Sequence, residues 1–330
     1  MRYSCVGIRN QRDLHLHAFT IAHFSTTVRE SSLYSHMTRP QTLYKYCAFN
    51  VNSLRLLSKG EIYYAAPKSF NDPLDCNPTL FIDTERTCLE ELFLNMLGAA
   101  EGPQKAQHLL EDCRYQSTQH GCFKTDADVE RYYMESLALE LKRLLACGLG
   151  MKGVFSLARE WNCPLMWSHY ADQHRGICIE YDVADSAFSN INPVDYNRPR
   201  SIKVSDLISW KLNGCSKAKS DVYNTWLLTK APQWGYEQEW RDVVDASGTK
   251  PAPARISGVY FGLRCDAAVQ TVVVKSFSNP QTNVSFYQIV PHEVSFALMR
   301  SNVDTAYVLA CGLQQSAVML FRDVITARRS

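Results

Sequence analysis

The chain has 330 residues, of which 46% are hydrophobic and 21% are charged, and its formal net charge is +2. These values are typical of a folded globular protein and exclude disordered, collagen-like and coiled-coil chains. The balanced charge gives no support for general binding to nucleic acid or to membrane surfaces. No stretch approaches the roughly 18 to 20 uninterrupted apolar residues of a membrane helix, so no membrane partner is expected.

Residues 1–40 show no sustained hydrophobic period, which predicts a poorly ordered N-terminal extension, and Met37 offers an alternative start. The segment lacks the apolar core and the small-residue cleavage site of a signal peptide, so we expect a cytoplasmic protein. The 12 cysteines of the chain are scattered without the spacing of zinc ligands. In the cytoplasm they are expected to be reduced and mostly buried.

Strand and helix patterns follow in chain order. The aromatic run at 43–46 and the run at 62–66 predict strands. Between them, residues 51–59 predict a short helix that ends at Gly60. Residues 69–73 combine Ser, Asn, Asp and Pro, a composition typical of a turn.

Helices dominate the next segment. Apolar residues recur at spacings of three and four over about 83–150, which indicates a helical insertion between strands. The later predicted strands are 154–157, 176–181, 236–244 (at an edge), 256–261, 271–275 and 284–290, and the later predicted helices are 164–172 and 216–229. This order indicates the α+β class, with one catalytic-type domain over 41–303 and a C-terminal helical extension over 304–330.

Four clusters place polar side chains among aromatic ones, a mixture that ordinary protein cores avoid. They are residues 44–46, 69–75, 167–176 and 234–241. In the last cluster, alternation along a strand would put Glu237 and Glu239 on one face, so that both carboxylates address one ligand.

At these positions the sequence resembles a large bacterial family of domains of unknown function. The family motifs are L-Y-K-Y, F-N-D-P with a following acid, M-W-S-H-Y-A with a nearby H-x-G, and W-x-Y-E-x-E-W-R. They correspond here to residues 43–46, 70–75, 166–176 and 234–241. The resemblance covers roughly residues 42–300 and implies no particular substrate.

The chain also resembles the ADP-ribosyltransferases, which carry L-Y-[HR] on a first strand and, in one class, a late E-x-E. Here Lys45 follows Leu43 and Tyr44, and the late acids are Glu237 and Glu239. The resemblance implies a split mixed sheet of ADP-ribosyltransferase type with inserted helices, and NAD as the substrate. The chain departs from the pattern at Lys45 and lacks a Ser-Thr-Ser motif, for which Tyr64, Ser69 or Ser156 are the available substitutes.

This resemblance also implies roles for individual residues. Glu239 would be the essential acid that stabilises the positively charged ribose formed as nicotinamide leaves, Glu237 its partner, and His169 a third catalytic residue. NAD contacts would come from Tyr44, Lys45, Tyr46, Ser69, Asn71 and Asp72. The acceptor would be a nucleic acid or a protein, as in a toxin or antiphage effector with an antitoxin or defence-system partner. With water as the acceptor, the protein would be an NAD hydrolase.

Two other interpretations stay open. His169, Asp172 and His174, together with Asp72, could bind a metal ion in a nuclease or hydrolase, although the spacing of the histidines does not stack them on one helix face. The aromatic clusters could instead form a non-catalytic module that binds a nucleotide or a partner. In a third interpretation, Glu237 and Glu239 have an ordinary structural role, as ion-pair partners of Arg241 or of a lysine.

Overall fold

The computed structural model describes residues 39–119, 125–184, 186–188, 191–277 and 283–311. Met37 and nearly all of the predicted N-terminal extension lie outside the described residues, as does the C-terminal extension beyond Cys311. The proposed division of the chain stays a prediction. In the described part, no helix combines the length and apolar character needed to cross a membrane.

The described residues form twelve strands, and eight of them build one large sheet. Their bounds are β1 Thr42–Cys47, β2 Glu61–Tyr64, β3 Thr79–Phe81, β4 Gly153–Ala158, β5 Ile177–Asp182, β6 Ile191–Pro193, β7 Ser201–Lys203, β8 Glu239–Val244, β9 Gly248–Pro251, β10 Arg255–Phe261, β11 Ser285–Pro291 and β12 Leu298–Asn302. The spatial order of the large sheet is β12-β11-β10-β5-β1-β4-β8-β6. Among the described strands of this large sheet, only β10 and β11 are parallel neighbours, so the sheet is mixed.

Helices are inserted between these strands. Their bounds are α1 Val51–Lys59, α2 Arg86–Glu101, α3 Pro103–Gln119, α4 Asp126–Leu149, α5 Pro164–Tyr170, α6 Val204–Lys211, α7 Ser216–Leu227, α8 Ala267–Ser276 and α9 Thr305–Cys311. The protein is therefore a mixed α/β structure with a large mixed sheet and inserted helices, and this part of the fold prediction is confirmed.

Helix α1 forms as predicted because both of its ends are capped. The Asn50 side chain accepts hydrogen bonds from the backbone N–H of Asn52 and Ser53, and the Ser53 hydroxyl accepts one from the Asn50 N–H. This reciprocal capping satisfies amides that the first turn leaves free. At the other end Gly60 has φ 62°, a left-handed conformation that glycine adopts without strain.

Three hydrophobic cores surround the sheet. Helices α2, α3, α4, α6 and α7 form the first around side chains such as Phe93. The second includes Phe155 of the sheet and Val273 of α8. The third joins α5 to the sheet through Trp167 and Tyr260. Strands β1, β4 and β8 border all three cores and position the candidate site.

Two predicted elements are corrected by the structure. Residues 271–275, predicted as a strand from their β-branched run, belong to helix α8, because Asp266 caps the helix by accepting from the Ala268 N–H at 2.7 Å. The strand predicted at 236–244 begins only at Glu239 and lies one strand inside the edge, since β6 pairs with its outer side. Tertiary pairing and capping override local propensity at both places.

Strands β1 and β4 are joined over a very short length. Their ladder consists of the single pair Tyr44–Ala158, whereas β1 pairs with β5 at six positions and β4 with β8 at six. Beyond this pair, towards Tyr46 and Ser156, the two strands separate and the sheet opens.

Candidate functional site

A cavity of about 410 Å³ lies at the opening between β1 and β4. Among the residues predicted to form the site, the lining includes Tyr44, Lys45, Tyr46, Ser69, Asn71, His169, Glu237 and Glu239. The structure therefore brings together side chains that come from widely separated parts of the sequence. This volume is within the usual range for small-molecule sites.

Strand register explains how β1 and β8 reach the same cavity. Tyr44 pairs with Ala158, and Ala158 pairs with Glu239, so the three side chains stand in a row on one face of the sheet. Tyr46 shares this face by strand alternation, and the small Ala158 leaves space between the tyrosines and the acid. Tyr44 and Tyr46 thus form one wall of the cavity and Glu239 lies opposite.

Lys45 points to the other side of β1 by the same alternation, and it lines the cavity where β1 and β4 separate. Its Nζ lies 4.9 Å from the centre of the Phe155 ring and donates to the Ser156 carbonyl oxygen at 2.8 Å. The bond bridges β1 and β4 where their ladder has ended. Burial lowers the pKa of Lys45. Its predicted contact with NAD stays a prediction, and its ammonium already has a partner.

Five buried charged side chains, here called the ionic cluster, lie at the cavity. They are Asp75, Lys230, Glu237, Glu239 and Arg241, and none is more than 7% exposed. With all of them ionised, three carboxylates and two cations give the cluster a charge of −1. Buried charges are tolerated only when paired and hydrogen-bonded, and each member of the cluster meets that condition.

Arg241 joins two of the carboxylates. Its Nη1 and Nη2 donate to Asp75 at 2.9 and 2.6 Å, and its Nε and Nη2 donate to Glu239 at 2.8 and 3.0 Å. Both contacts are bidentate, the geometry that suits a planar guanidinium. A further bond from Nη1 reaches the Leu227 carbonyl oxygen. Arg241 is therefore fixed in place, and it holds both oxygens of Glu239.

Lys230 joins the two acids of the E-x-E sequence. Its Nζ lies 2.5 Å from Glu237 Oε2, 3.2 Å from Glu239 Oε2 and 3.7 Å from Asp75 Oδ2. The remaining oxygen of Glu237 accepts the Tyr170 hydroxyl at 2.7 Å. The two glutamates therefore share one buried ammonium. The second oxygen of Glu237 accepts from a neutral hydroxyl, whereas the second oxygen of Glu239 accepts from Arg241.

The two glutamates have opposite pKa shifts. For Glu237, burial and then the neighbouring charge of Glu239 raise the pKa. Burial also acts to raise the pKa of Glu239, but Arg241 and Lys230 outweigh it and hold that pKa well below its ordinary value. Pairs of carboxylates with diverging pKa values are typical of sites where acids have different roles.

The path of the backbone differs from the predicted strand. Glu237 ends a 3-10 helix, Pro232–Glu237, and only Glu239 belongs to β8. Between them Gln238 has φ 44°, an unusual conformation for a residue with a side chain. The two carboxylates therefore meet through a left-handed turn, and the predicted alternation on one strand is wrong.

Three other residues that were predicted for the site, His169, Asn71 and Ser69, line the cavity beside the ionic cluster. His169 lines the cavity at the end of α5, near the ring of Tyr236. Asn71 reaches the Tyr170 hydroxyl at 3.5 Å, whereas Ser69 bonds to its own turn through the Ala66 carbonyl oxygen.

Asp72 does not line the cavity. It accepts from Trp234 Nε1 at 2.7 Å and from the Leu74 N–H at 2.8 Å. The bond from Trp234 ties the turn at 69–73 to the 3-10 helix that precedes β8. Asp72 therefore supports the position of the cavity wall, and its predicted contact with NAD stays a prediction.

The residues proposed for a metal site do not converge. Neither Asp172 nor His174 lines the cavity with His169. His174 stacks on Trp167, and Asp172 lies near Arg175. In the described ranges no group of three or more His, Cys, Asp or Glu side chains has the arrangement of a metal site. The metal interpretation therefore has no geometric support in this part of the chain.

Four side chains of the site were given no site role from the sequence, although Arg241 and a lysine were named as structural partners of the late acids. Asp75, Tyr170 and Arg241 belong to the polar and aromatic clusters, but site roles were given to their neighbours. Lys230 lies just before the last cluster, and its role depends on partners that no local pattern reveals.

Comparison with known proteins places part of the chain in a family. Residues 166–241 match the family model described as "Protein of unknown function (DUF2971)". No curated protein and no solved structure matches the chain. The matched segment includes Lys230, Glu237, Glu239 and Arg241, four of the five members of the ionic cluster. Residues 166–241 are therefore similar to a family of domains of unknown function, which is the kind of family that the sequence motifs predicted.

Proposed function

We propose that the cavity binds NAD and that the protein transfers ADP-ribose from NAD to a macromolecule. The observation that carries this proposal is the convergence of Glu237 and Glu239 on Lys230 in a cavity walled by Tyr44 and Tyr46. A role as a toxin or antiphage effector, with a matching partner, belongs to the same proposal.

The charge of the cluster suits this chemistry. Breaking the bond between nicotinamide and ribose leaves positive charge on the ribose, and the acceptor then forms a bond to the same carbon and releases a proton. A preorganised cluster with one excess negative charge lowers the free energy of that positive charge. Burial strengthens the interaction, because little water screens it.

We assign different roles to the two acids. Both oxygens of Glu239 are held by Arg241 and Lys230, so Glu239 supplies fixed negative charge. Glu237 has one oxygen on Lys230 and one on the Tyr170 hydroxyl. A ribose hydroxyl can replace that tyrosine as a neutral donor, which makes Glu237 the acid that contacts the ligand.

The topology supports a sheet of ADP-ribosyltransferase type. The early strand β1 and the late strand β8 both flank β4, and the opening between β1 and β4 provides the split that this fold type implies. The cavity lies at that split, with the early tyrosines and the late acids on its walls.

The test is the release of nicotinamide from NAD by the purified protein, with protein and nucleic acid from a lysate offered as acceptors. We expect wild-type protein to release nicotinamide, and Glu237→Gln and Glu239→Gln to reduce the rate by about 100-fold or more. Glu91→Gln, which changes an exposed acid of α2, is the matched control and should be unaffected. A wild-type protein that neither releases nicotinamide nor is stabilised by NAD would contradict the proposal.

One observation favours a non-catalytic nucleotide-binding module instead. All four carboxylate oxygens of Glu237 and Glu239 already accept bonds from the protein. Such a module would be stabilised by NAD without releasing nicotinamide, so the same experiment separates the two functions.

A further inference from the structure

A second group of aromatic side chains lies on the sheet beside the cavity. Trp161 stacks on Tyr260 with ring centres 5.3 Å apart, and Tyr260 packs against Tyr287 at 4.7 Å. Together with Arg300 of β12, these three rings form what we call the aromatic platform. Trp161 and Tyr287 are half-buried, so part of each ring faces solvent.

The guanidinium group of Arg300 lies over the three rings of the platform. The guanidinium carbon lies 4.3 Å from the ring centre of Tyr287, 5.4 Å from that of Trp161 and 5.5 Å from that of Tyr260. Its Nη1 also donates to the Tyr260 hydroxyl. Arg300 is exposed, and within the described residues it forms no ion pair with a carboxylate. An exposed cation on stacked rings can take both an anion and a planar group.

The platform and the cavity share one face of the sheet. Tyr287 pairs with Tyr260, and the ring of Tyr260 makes an edge contact with Tyr44, 5.9 Å away. Tyr44 in turn lines the cavity. A ligand lying along this face therefore passes from Arg300 to the ionic cluster without crossing the sheet.

The platform continues the wall of the cavity along the sheet. The ring of Tyr260 lies 5.9 Å from that of Tyr44 on the cavity wall, and the guanidinium of Arg300 lies 5.5 Å beyond Tyr260. The platform offers a cation and planar rings, the partners of a phosphate and a base, beside a cavity lined by acids. A strand of nucleotides, with its repeated planar and anionic groups, would contact both.

We propose that the aromatic platform binds single-stranded nucleic acid, and that this strand is the acceptor which the cavity modifies. The acceptor role rests on the function proposed above, whereas the binding does not. An unpaired base stacks on the guanidinium plane and the aromatic rings, and its phosphate pairs with Arg300. Paired bases in a duplex do not expose these faces, which favours a single strand.

The test is equilibrium binding without NAD, measured by the fluorescence anisotropy of labelled single strands of about 12 nucleotides. RNA and DNA strands are tested separately, beside a duplex of the same sequence and an acidic peptide. We expect one or both single strands to bind the wild-type protein. Arg300→Ala and Trp161→Ala should each weaken binding about tenfold, because one stacked base loses its platform. Arg300→Lys keeps the charge but loses the plane, so its affinity should be intermediate.

Arg131→Ala is the control, because it removes another exposed arginine, on helix α4. It should bind like the wild type. The proposal is overturned if the wild type binds no single strand, if Arg300→Ala behaves like the control, or if the duplex or the peptide binds as tightly through Arg300. This assay contains no NAD, so it tests the platform independently of the enzyme. Binding of a single strand by a protein that releases no nicotinamide in the separate assay with NAD would support the platform and contradict the proposed enzyme.

Discussion

Two networks of charged side chains in the described part of the chain, one on the helices and one at the cavity, differ in burial. On the helices, Glu90 accepts from Arg86 at 2.8 Å, from Arg114 at 3.1 Å and from the Tyr133 hydroxyl at 2.6 Å. Its arginine partners are 38% and 51% exposed. In the ionic cluster, the side chains of the ion-paired residues are at most 6% exposed. The helical network therefore forms its ion pairs in contact with water, whereas the ionic cluster forms similar pairs in the protein interior.

This difference decides what each network does. Exposed ion pairs typically contribute about 0 to 1 kcal/mol, since water and side-chain entropy oppose them. Buried ion pairs cost several kcal/mol of desolvation per ion, which their attraction barely offsets. The helical network fits a modest role in joining α2, α3 and α4. The buried network lines a cavity, where charges that add little stability can act on a ligand.

The largest effect on stability is expected at Arg241. Arg241→Ala leaves Asp75 and Glu239 buried without their main partner, and breaking a buried pair in this way costs about 3 to 5 kcal/mol. The free energy of unfolding from urea denaturation measures the loss. A loss below about 1 kcal/mol would mean that the cluster is solvated in solution, and the comparison between the two networks would fail.

A smaller and pH-dependent effect is expected at the two acids. The pKa of Glu239 is lowered in the folded state, so its stabilising contribution is present above the ordinary value of 4.5 and is lost as the pH falls below it. The pKa of Glu237 is raised, so its ionised form costs free energy as the pH rises above 4.5. The two contributions therefore have opposite signs.

Urea denaturation of both variants over a pH series checks these signs. The loss caused by Glu239→Gln should be about 2 to 4 kcal/mol near neutral pH and should shrink in acid. The loss caused by Glu237→Gln should instead shrink as the pH rises. Parallel pH profiles for the two variants would show that the acids share one environment, against the geometry described here.

The smallest effect is expected in the helical network. Arg114→Ala removes one exposed partner of Glu90, while Arg86 and Tyr133 stay in place, so the loss should be about 0 to 1 kcal/mol. The same urea experiment measures it. A loss as large as that of Arg241→Ala would show that burial is not what separates the two networks.

Local patterns predicted much of the fold. Gly60 predicted the end of α1, and the aromatic run at 43–46 predicted β1. The strand predicted at 271–275 failed because a capping Asp266 favours a helix there despite the β-branched residues that follow. Such conflicts between signals are resolved by the final packing, which a single sequence does not reveal.

The sequence named many of the residues that line the cavity, but it did not predict how they are arranged. Glu237 and Glu239 were found, but their approach depends on the left-handed Gln238, which no residue type signals. Arg241 and Asp75 lie 166 positions apart, so no periodicity predicts their contact. Strand alternation alone, however, is enough to predict that Lys45 points to the opposite face of β1 from Tyr44 and Tyr46.

The most direct test of the account is calorimetric titration of NAD into the wild-type protein and into Ala158→Leu. Ala158 stands between Tyr44 and Glu239 on the cavity wall, so a larger side chain there fills the space without changing any charge. Ala267→Leu, which changes an exposed alanine at the start of α8, is the control, and thermal melting verifies that each variant folds. The account predicts that wild type and control bind NAD and that Ala158→Leu loses at least about tenfold in affinity. Failure of the wild type to bind NAD, or unchanged binding by a folded Ala158→Leu, would contradict it.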